Sequence, residues 1–139
     1  MSTFVIDASV AIHWLTEGDL QAKAIAILDL YAAQRIELIA PRQIMDEVSS
    51  TLSKLHRRKL LTAALAEKAF QKFEDRRPEL VEPEGSHRRA FQLALRHQIS
   101  FWDSLYLALA IERKADLLTA DARFHRSMVR HYPYVRLLG

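Results

Sequence analysis

The 139-residue sequence contains no cysteine. Disulfides, thiolate zinc sites and cysteine nucleophiles are thereby excluded together, leaving carboxylates and histidines as the strong side-chain metal ligands. Glycine occurs 3 times and proline 4 times, too seldom for a collagen-like or linker-rich chain. No GxGxxG or GxxxxGK[ST] motif is present, which argues against a dinucleotide fold or a P-loop hydrolase, and there is no GxSxG nucleophile elbow. The histidines at positions 13, 56, 87, 97, 125 and 131 form no HxxxH or HExxH pair. The longest purely apolar stretch, around Leu105 to Ile111, is far shorter than a membrane span, and no basic region precedes the short apolar run at the amino terminus. A cytoplasmic protein with no membrane association is expected.

What remains has the composition of one soluble domain over residues 1–139. It is 50% hydrophobic and 27% charged, with 6 Phe, 4 Tyr and 2 Trp to help fill a core. Twenty Lys and Arg against 17 Asp and Glu give a net charge of +3. The excess is unevenly spread, gathering at Lys54–Lys59, Arg76–Arg77, His87–Arg89 and between Arg123 and Arg136, a pattern compatible with a polyanionic partner.

Short apolar runs and helical periodicities alternate along the chain. Phe4–Ile6 reads as a strand and Val10–Leu15 as a helix. Leu20, Ala24, Ile27, Leu28 and Tyr31 then share one helix face, with Asp19 available as N-cap. Ile36–Ala40 reads as a second strand closed by Pro41, and Ile44, Val48, Leu52 and Leu55 trace the next helix. Thr62 can cap a helix carrying Ala69 and Phe73. A short strand lies between Pro78 and Pro83, and Ser86 can cap the helix that follows. Ser100 precedes a helix over Phe101 to about Lys114 that is apolar nearly all round and belongs in the core. Leu117–Ala120 reads as a strand, followed by a last helix and a strand over Tyr134–Leu138. This β-then-α order predicts a three-layer α/β/α domain with a central, mostly parallel sheet.

In such a sheet, sites form beyond the carboxyl ends of strands, near the point where the winding reverses. Asp7 and Asp121 terminate two strands there, although each also suits an N-cap or Asx turn. Glu47 lies on the flank of its helix stripe while Asp46 points away, so Glu47 can face inward; judged alone, it reads first as a solvated surface residue. Asp103 matches a capping box with Ser100, yet it is also a carboxylate on a helix that otherwise buries itself. Burial without a cation or full donors raises a carboxyl's pKa and costs stability. If these four acids converge, their repulsion calls for hard cations, and an oxygen-only ligand set selects Mg2+ or Mn2+ over zinc. The chemistry that follows is phosphodiester hydrolysis by an activated water.

Four segments carry a family resemblance: Phe4-Val-Ile-Asp-Ala-Ser-Val-Ala-Ile12; Ala40-Pro41 with Glu47-Val48 and Leu52; Trp102-Asp-Ser-Leu-Tyr-Leu-Ala-Leu-Ala110; and Leu117-Leu-Thr-Ala-Asp-Ala-Arg-Phe124. In this order and spacing, nearly end to end, the chain resembles the PIN-domain ribonucleases of the VapC type, toxins of toxin–antitoxin pairs. The resemblance implies a single PIN-like domain in which Asp7, Glu47, Asp103 and Asp121 bind Mg2+ or Mn2+ and cut RNA as an endoribonuclease. It suggests Ser9 and Thr119 as supporting hydroxyls, which also read as a helix cap and a strand-end residue. It implies a homodimer and a VapB-like antitoxin partner, for which a groove near Trp14, Leu15 and Tyr31 is a candidate unless those residues are core. One departure is Ser50, where such toxins often have Asn. Lys54, Arg57, Arg58 and Lys59 form one candidate RNA rim, and Arg123, Arg126 and Arg130 another; solvated helix faces explain both equally well.

Two other readings stand beside the nuclease. A receiver-like or phosphatase domain would need a carboxylate phosphoacceptor, and Asp7-Ala-Ser9 offers neither an acid pair nor a DxDx loop. A catalytically silent PIN-like scaffold would bind RNA or protein without cutting.

Overall fold

Val5 and Ile6 are fully buried at the end of the first strand, β1 (Ser2–Ile6). The computed structural model describes residues 1–139 and adds four strands: β2 (Ile36–Ala40), β3 (Glu79–Leu80), β4 (Asp116–Thr119) and β5 (Val135–Leu137). All pairings are parallel, in the order β3-β2-β1-β4-β5. Leu38, Ile39 and Ala40 are buried in succession, as are Leu117, Leu118 and Thr119. Burial of successive residues, which point to opposite faces, means both faces of the sheet are covered.

Seven helices provide the cover: α1 (Ala8–Leu15), α2 (Gln21–Ala32), α3 (Gln43–Arg57), α4 (Ala63–Arg76), α5 (Ser86–His97), α6 (Phe101–Arg113) and α7 (Ala122–Met128). From β1 the chain winds outward through β2 to β3, carrying α1 to α4. It then crosses to β4 and winds the other way to β5, carrying α5 to α7. Right-handed crossovers put these two sets on opposite faces. The packing agrees, since α1 contacts α2, α3 and α4, while α5 contacts α6. The three-layer α/β/α architecture follows. In α6 every residue from Ser104 to Ala110 is buried, because the helix lies between α5 on one side and β1 and β4 on the other.

Local signals hold at two helix starts. The Leu65 amide donates to Thr62 Oγ1 at 3.2 Å, and the Asp103 amide to Ser100 Oγ at 3.0 Å. Two expected caps are corrected. Asp19 does not cap α2: the Gln21 amide already donates to the Gly18 carbonyl, so the chain enters through a turn and Leu20 occupies the cap position with helical backbone. Ser86 is the first residue of α5 and donates its hydroxyl to the Pro83 carbonyl. The cap position belongs to Gly85, whose φ of 81° suits a residue without Cβ. No helix is long and apolar enough to cross a membrane.

Leu107 on α6 is wholly buried, whereas Leu95 on α5 is 65% exposed. Leu107→Ala is expected to lower stability by roughly 2–5 kcal/mol. Leu95→Ala should change it by no more than about 0.5 kcal/mol. Urea denaturation of the two variants measures the contrast, and equal losses would mean that α6 is not central.

Candidate functional site

β1 and β4 are neighbours, with Ile6 opposite Leu118, yet the chain leaves them toward opposite faces, through α1 and α7. The crevice beyond their carboxyl ends is the switch point of the sheet. Asp7 follows β1 directly, and its amide extends the pairing by donating to the Leu118 carbonyl at 3.3 Å. Asp121 lies two residues beyond β4.

Both acids do act as caps. Asp7 Oδ1 accepts from the Ser9 and Val10 amides at 3.1 and 3.3 Å, and Asp121 Oδ1 from the Arg123 and Phe124 amides at 3.0 and 3.1 Å. Each cap uses a single carboxylate oxygen. The Ser9 hydroxyl donates to the same Asp7 Oδ1 and accepts from the Ala120 amide at 2.8 Å. The Asp121 amide donates to Thr119 Oγ1, which lies 3.5 Å from Ser9 Oγ. Ser9 thus links the two strand ends through the Ala120 amide, while Thr119 caps the Asp121 amide at its own strand end.

Glu47 stands on the second turn of α3, half-buried, while Asp46 faces solvent. Gln43, one turn earlier and buried, donates its amide to Glu47 Oε1 at 2.8 Å and to the Trp102 carbonyl at 2.7 Å. That one side chain ties α3 to the start of α6 and orients the glutamate. Asp103, on the first turn of α6, is half-buried. Ser100 caps its amide, but no amide bond returns to the Asp103 carboxylate, so the capping box is only half made.

The four acids share one electric field. Burial pushes the Asp7 carboxyl up to about 6, opposed by the Ser9 and Thr119 hydroxyls and the Val10 amide, with the Asp103 charge adding to the rise. Burial also lifts Glu47 to about 6; the nearby Tyr106 hydroxyl and Gln43 amide oppose the rise, and the charges of Asp7 and Asp103 add to it. Asp103 is raised by burial, opposed by the Ser100 hydroxyl and reinforced by the charge of Asp121. Asp103 therefore couples to each of the other three. No three Asp, Glu or His side chains lie close enough to form a finished ion cage. The donor chemistry nevertheless fits a hard cation: every ligand atom on offer is oxygen, a buried Asp7 and half-buried Glu47 and Asp103 repel one another while Asp121 is exposed, and no basic side chain pairs with them.

Two further polar residues belong to this site, and neither was a candidate from the sequence. Gln43 is one turn before Glu47, and Tyr106 is one turn after Asp103, its buried hydroxyl beside Glu47 and Asp7 without a hydrogen bond of ordinary geometry. Burial and those two carboxylates raise the Tyr106 pKa. Polar residues one turn from an inward acid share its face, and that spacing could have revealed them. Asp116, at the opposite end of β4, is paired with Arg136 at 2.8 Å and is no part of the cluster.

The two basic rims differ in position. Arg123 and Arg126 are exposed on α7, immediately after Asp121. Lys54, Arg57 and Arg58 are exposed too, but α3 carries them away from the crevice, and 11 residues at 1.5 Å rise put Arg58 roughly 16 Å beyond Glu47.

A family model described as PIN domain matches residues 4–127, a span that includes all four acids. No curated protein matches the sequence significantly. Among solved structures, the chain is similar to VapBC2 from Rickettsia felis, determined bound to a DNA fragment from their promoter. The TM-score is 0.70 at 13% identity, over 97% of this chain and 96% of that one. It is similar to PAE2754 from Pyrobaculum aerophilum, with a TM-score of 0.69 at 17% identity over 91% and 86% of the two chains. It is also similar to Mycobacterium tuberculosis VapC20, described as a sarcin-ricin loop cleaving toxin, with a TM-score of 0.62 at 18% identity over 89% and 94%. At these identities the likeness is one of fold.

A carboxyl at about 6 in the fold and 3.8 outside it favours folding while protonated. Its contribution is complete below about pH 4 and is lost as pH rises through about 6. In metal-free protein, Asp7→Asn should therefore change stability little near pH 4 and raise it by up to about 3 kcal/mol above pH 7. Urea denaturation in EDTA across this range reads the difference; a pH-independent effect would mean that Asp7 is not perturbed.

Proposed function

The chain belongs to the PIN domain family, and from that premise we propose that it is a Mg2+- or Mn2+-dependent endoribonuclease, the toxin of a VapBC-type pair. The observation that supports this reading is the coupling of Asp103 by charge to Asp7, Glu47 and Asp121, acids from four separate segments, near the switch point. These carboxylates would hold the ion. When bound, a divalent cation lowers the pKa of an attacking water and offsets the charge gathering on the phosphate.

The chain's own residues prepare that chemistry. Ser9 and the Val10 amide fix one oxygen of Asp7, and Gln43 fixes one oxygen of Glu47, so neither carboxylate must be ordered during reaction. The amino end of α6 favours negative charge beside Asp103. Arg123 and Arg126 flank Asp121 and are the better placed RNA contacts; Lys54, Arg57 and Arg58 would serve only a longer substrate. The description of a similarly folded mycobacterial protein as a sarcin-ricin loop cleaving toxin supports RNA as the substrate class. The lack of a finished ion cage favours the alternative, a silent PIN-like scaffold for RNA or protein. Activity decides between them. Asp7→Asn or Asp103→Asn is expected to lower Mg2+- or Mn2+-dependent RNA cleavage by about 100-fold or more with an unchanged circular dichroism spectrum. EDTA should abolish wild-type cleavage. Full activity in either folded variant would reject the assigned site.

The antitoxin reading has a surface of its own. A cavity of about 660 Å3 between α1, α3 and α4 is lined by Ile12, Leu15, Leu55, Leu60 and Leu65, with Lys68 and Lys72 beside them. Trp14, by contrast, is 5% exposed and packs on Phe73, so it belongs to the core, while Tyr31 donates its hydroxyl to the Arg77 carbonyl. An amphipathic segment of a VapB-like partner fits such a groove. Leu65 is 53% exposed, so Leu65→Asp should preserve the fold and RNA cleavage while weakening co-purification of the antitoxin encoded beside it. Undiminished co-purification would place the partner elsewhere.

A further inference from the structure

Beside the acidic crevice lies a second, smaller cavity of about 250 Å3 between the starts of α3 and α6 and the loop before α5. Arg42, Asp46, Glu82, His87, Phe101 and Trp102 line it. Trp102 is 57% exposed, an unusual state for an indole next to a half-buried acid, and the His87 ring lies 5.8 Å from that of Phe101. The chain's two ion pairs, Arg89–Glu112 and Arg136–Asp116, leave Arg42, Asp46 and Glu82 without a partner. An aromatic floor under uncommitted acceptors and a donor is the chemistry that receives a planar, hydrogen-bonding heterocycle. The volume suits one such ring system rather than a drug-sized ligand.

The cavity and the acids share a wall. Gln43 lines the cavity while its amide bonds both Glu47 and the Trp102 carbonyl, and Trp102 immediately precedes Asp103. A nucleotide with its phosphate at the acids therefore has its base within reach of Trp102.

The geometry points to this cavity as a base-selecting subsite of the proposed ribonuclease: an unpaired guanine stacks on Trp102 and presents its Watson–Crick edge to Asp46 and Glu82. The inference rests on the reading of the chain as acting on RNA. Among the four bases, guanine alone carries a ring N–H and an exocyclic amine side by side on that edge, a donor pair matched to a carboxylate. Adenine and cytosine place a ring acceptor beside their amine, and uracil has no amine. Arg42 remains free for the adjoining phosphate or the guanine carbonyl oxygen.

Binding can be measured without catalysis. Trp14 is buried, so quenching of tryptophan emission by a short RNA reports chiefly on Trp102. The probes are uridine heptamers with one central guanosine, inosine or adenosine, mixed with the intact protein in EDTA. The guanosine probe should quench and bind about tenfold more tightly than the adenosine probe, with inosine, which lacks the amine, between them. Trp102→Ala should weaken guanosine binding by about tenfold, and Trp102→Phe should retain most of it. Asp46→Asn combined with Glu82→Gln should erase the preference for guanosine while leaving stacking in place. Equal affinity for the three probes, or wild-type affinity in Trp102→Ala, overturns the proposal. A wild-type protein that cuts RNA with Mg2+ while Trp102→Ala cuts at the same positions and rate also overturns it, and leaves the nuclease standing. Discrimination among the probes by a protein that cuts no RNA fails the nuclease instead and retains the subsite.

Discussion

Because β1 pairs in parallel with β4 at the middle of the sheet, Ile6 and Leu118 stand opposite each other, and the residues that follow them must emerge at one edge. This single alignment brings together two chain segments more than a hundred residues apart. It also sends the chain away on opposite faces, through α1 and α7, opening a crevice whose two lips are linked by the Ser9 hydroxyl and the Ala120 amide. The remaining acids arrive by the same logic. Glu47 is on the helix that leaves β2, the neighbour of β1, and Asp103 begins the helix buried against β1 and β4. A slip of one residue in the β1–β4 register would turn one strand's side chains over relative to the other's and dissolve the arrangement.

Bringing carboxylates together in this way opposes folding. Asp7 is nearly inaccessible, and burial holds its carboxyl up at about 6 although it accepts three hydrogen bonds. Local donors are therefore insufficient to hold its charge, and Glu47 is in the same condition. A fold selected for stability alone would replace such groups with apolar ones. Their presence on two helices and at two strand ends is understandable if a positively charged species completes the site.

Much of this was legible beforehand, and the reasons are physical. Short apolar runs ending at Asp7 and Asp121 marked two strand ends, and unbroken apolarity around Leu105–Ala110 marked a central helix. The inward lean of Glu47 followed from its angle to the Ile44–Val48–Leu52 stripe, and the structure agrees. Less visible were features set by tertiary context. Asp19 and Ser86 have capping chemistry, but a preceding turn and the left-handed Gly85 displaced them. Gln43 and Tyr106 stand one turn from Glu47 and Asp103, but they matter because α3 and α6 meet at their starts, which only the folded chain reveals. The basic run Lys54–Arg58 looked equivalent to Arg123–Arg126 on the string, yet helix direction carries it to the far end.

The borders of the sheet have a bearing on assembly. One outermost strand contributes two residues and the other three, and the latter carries a charged, ion-paired arginine. Such stubs give an incoming strand almost no ladder to extend. Two copies of this molecule would have to join through their helical flanks, and the protein is guarded at both margins against edge-to-edge polymerisation.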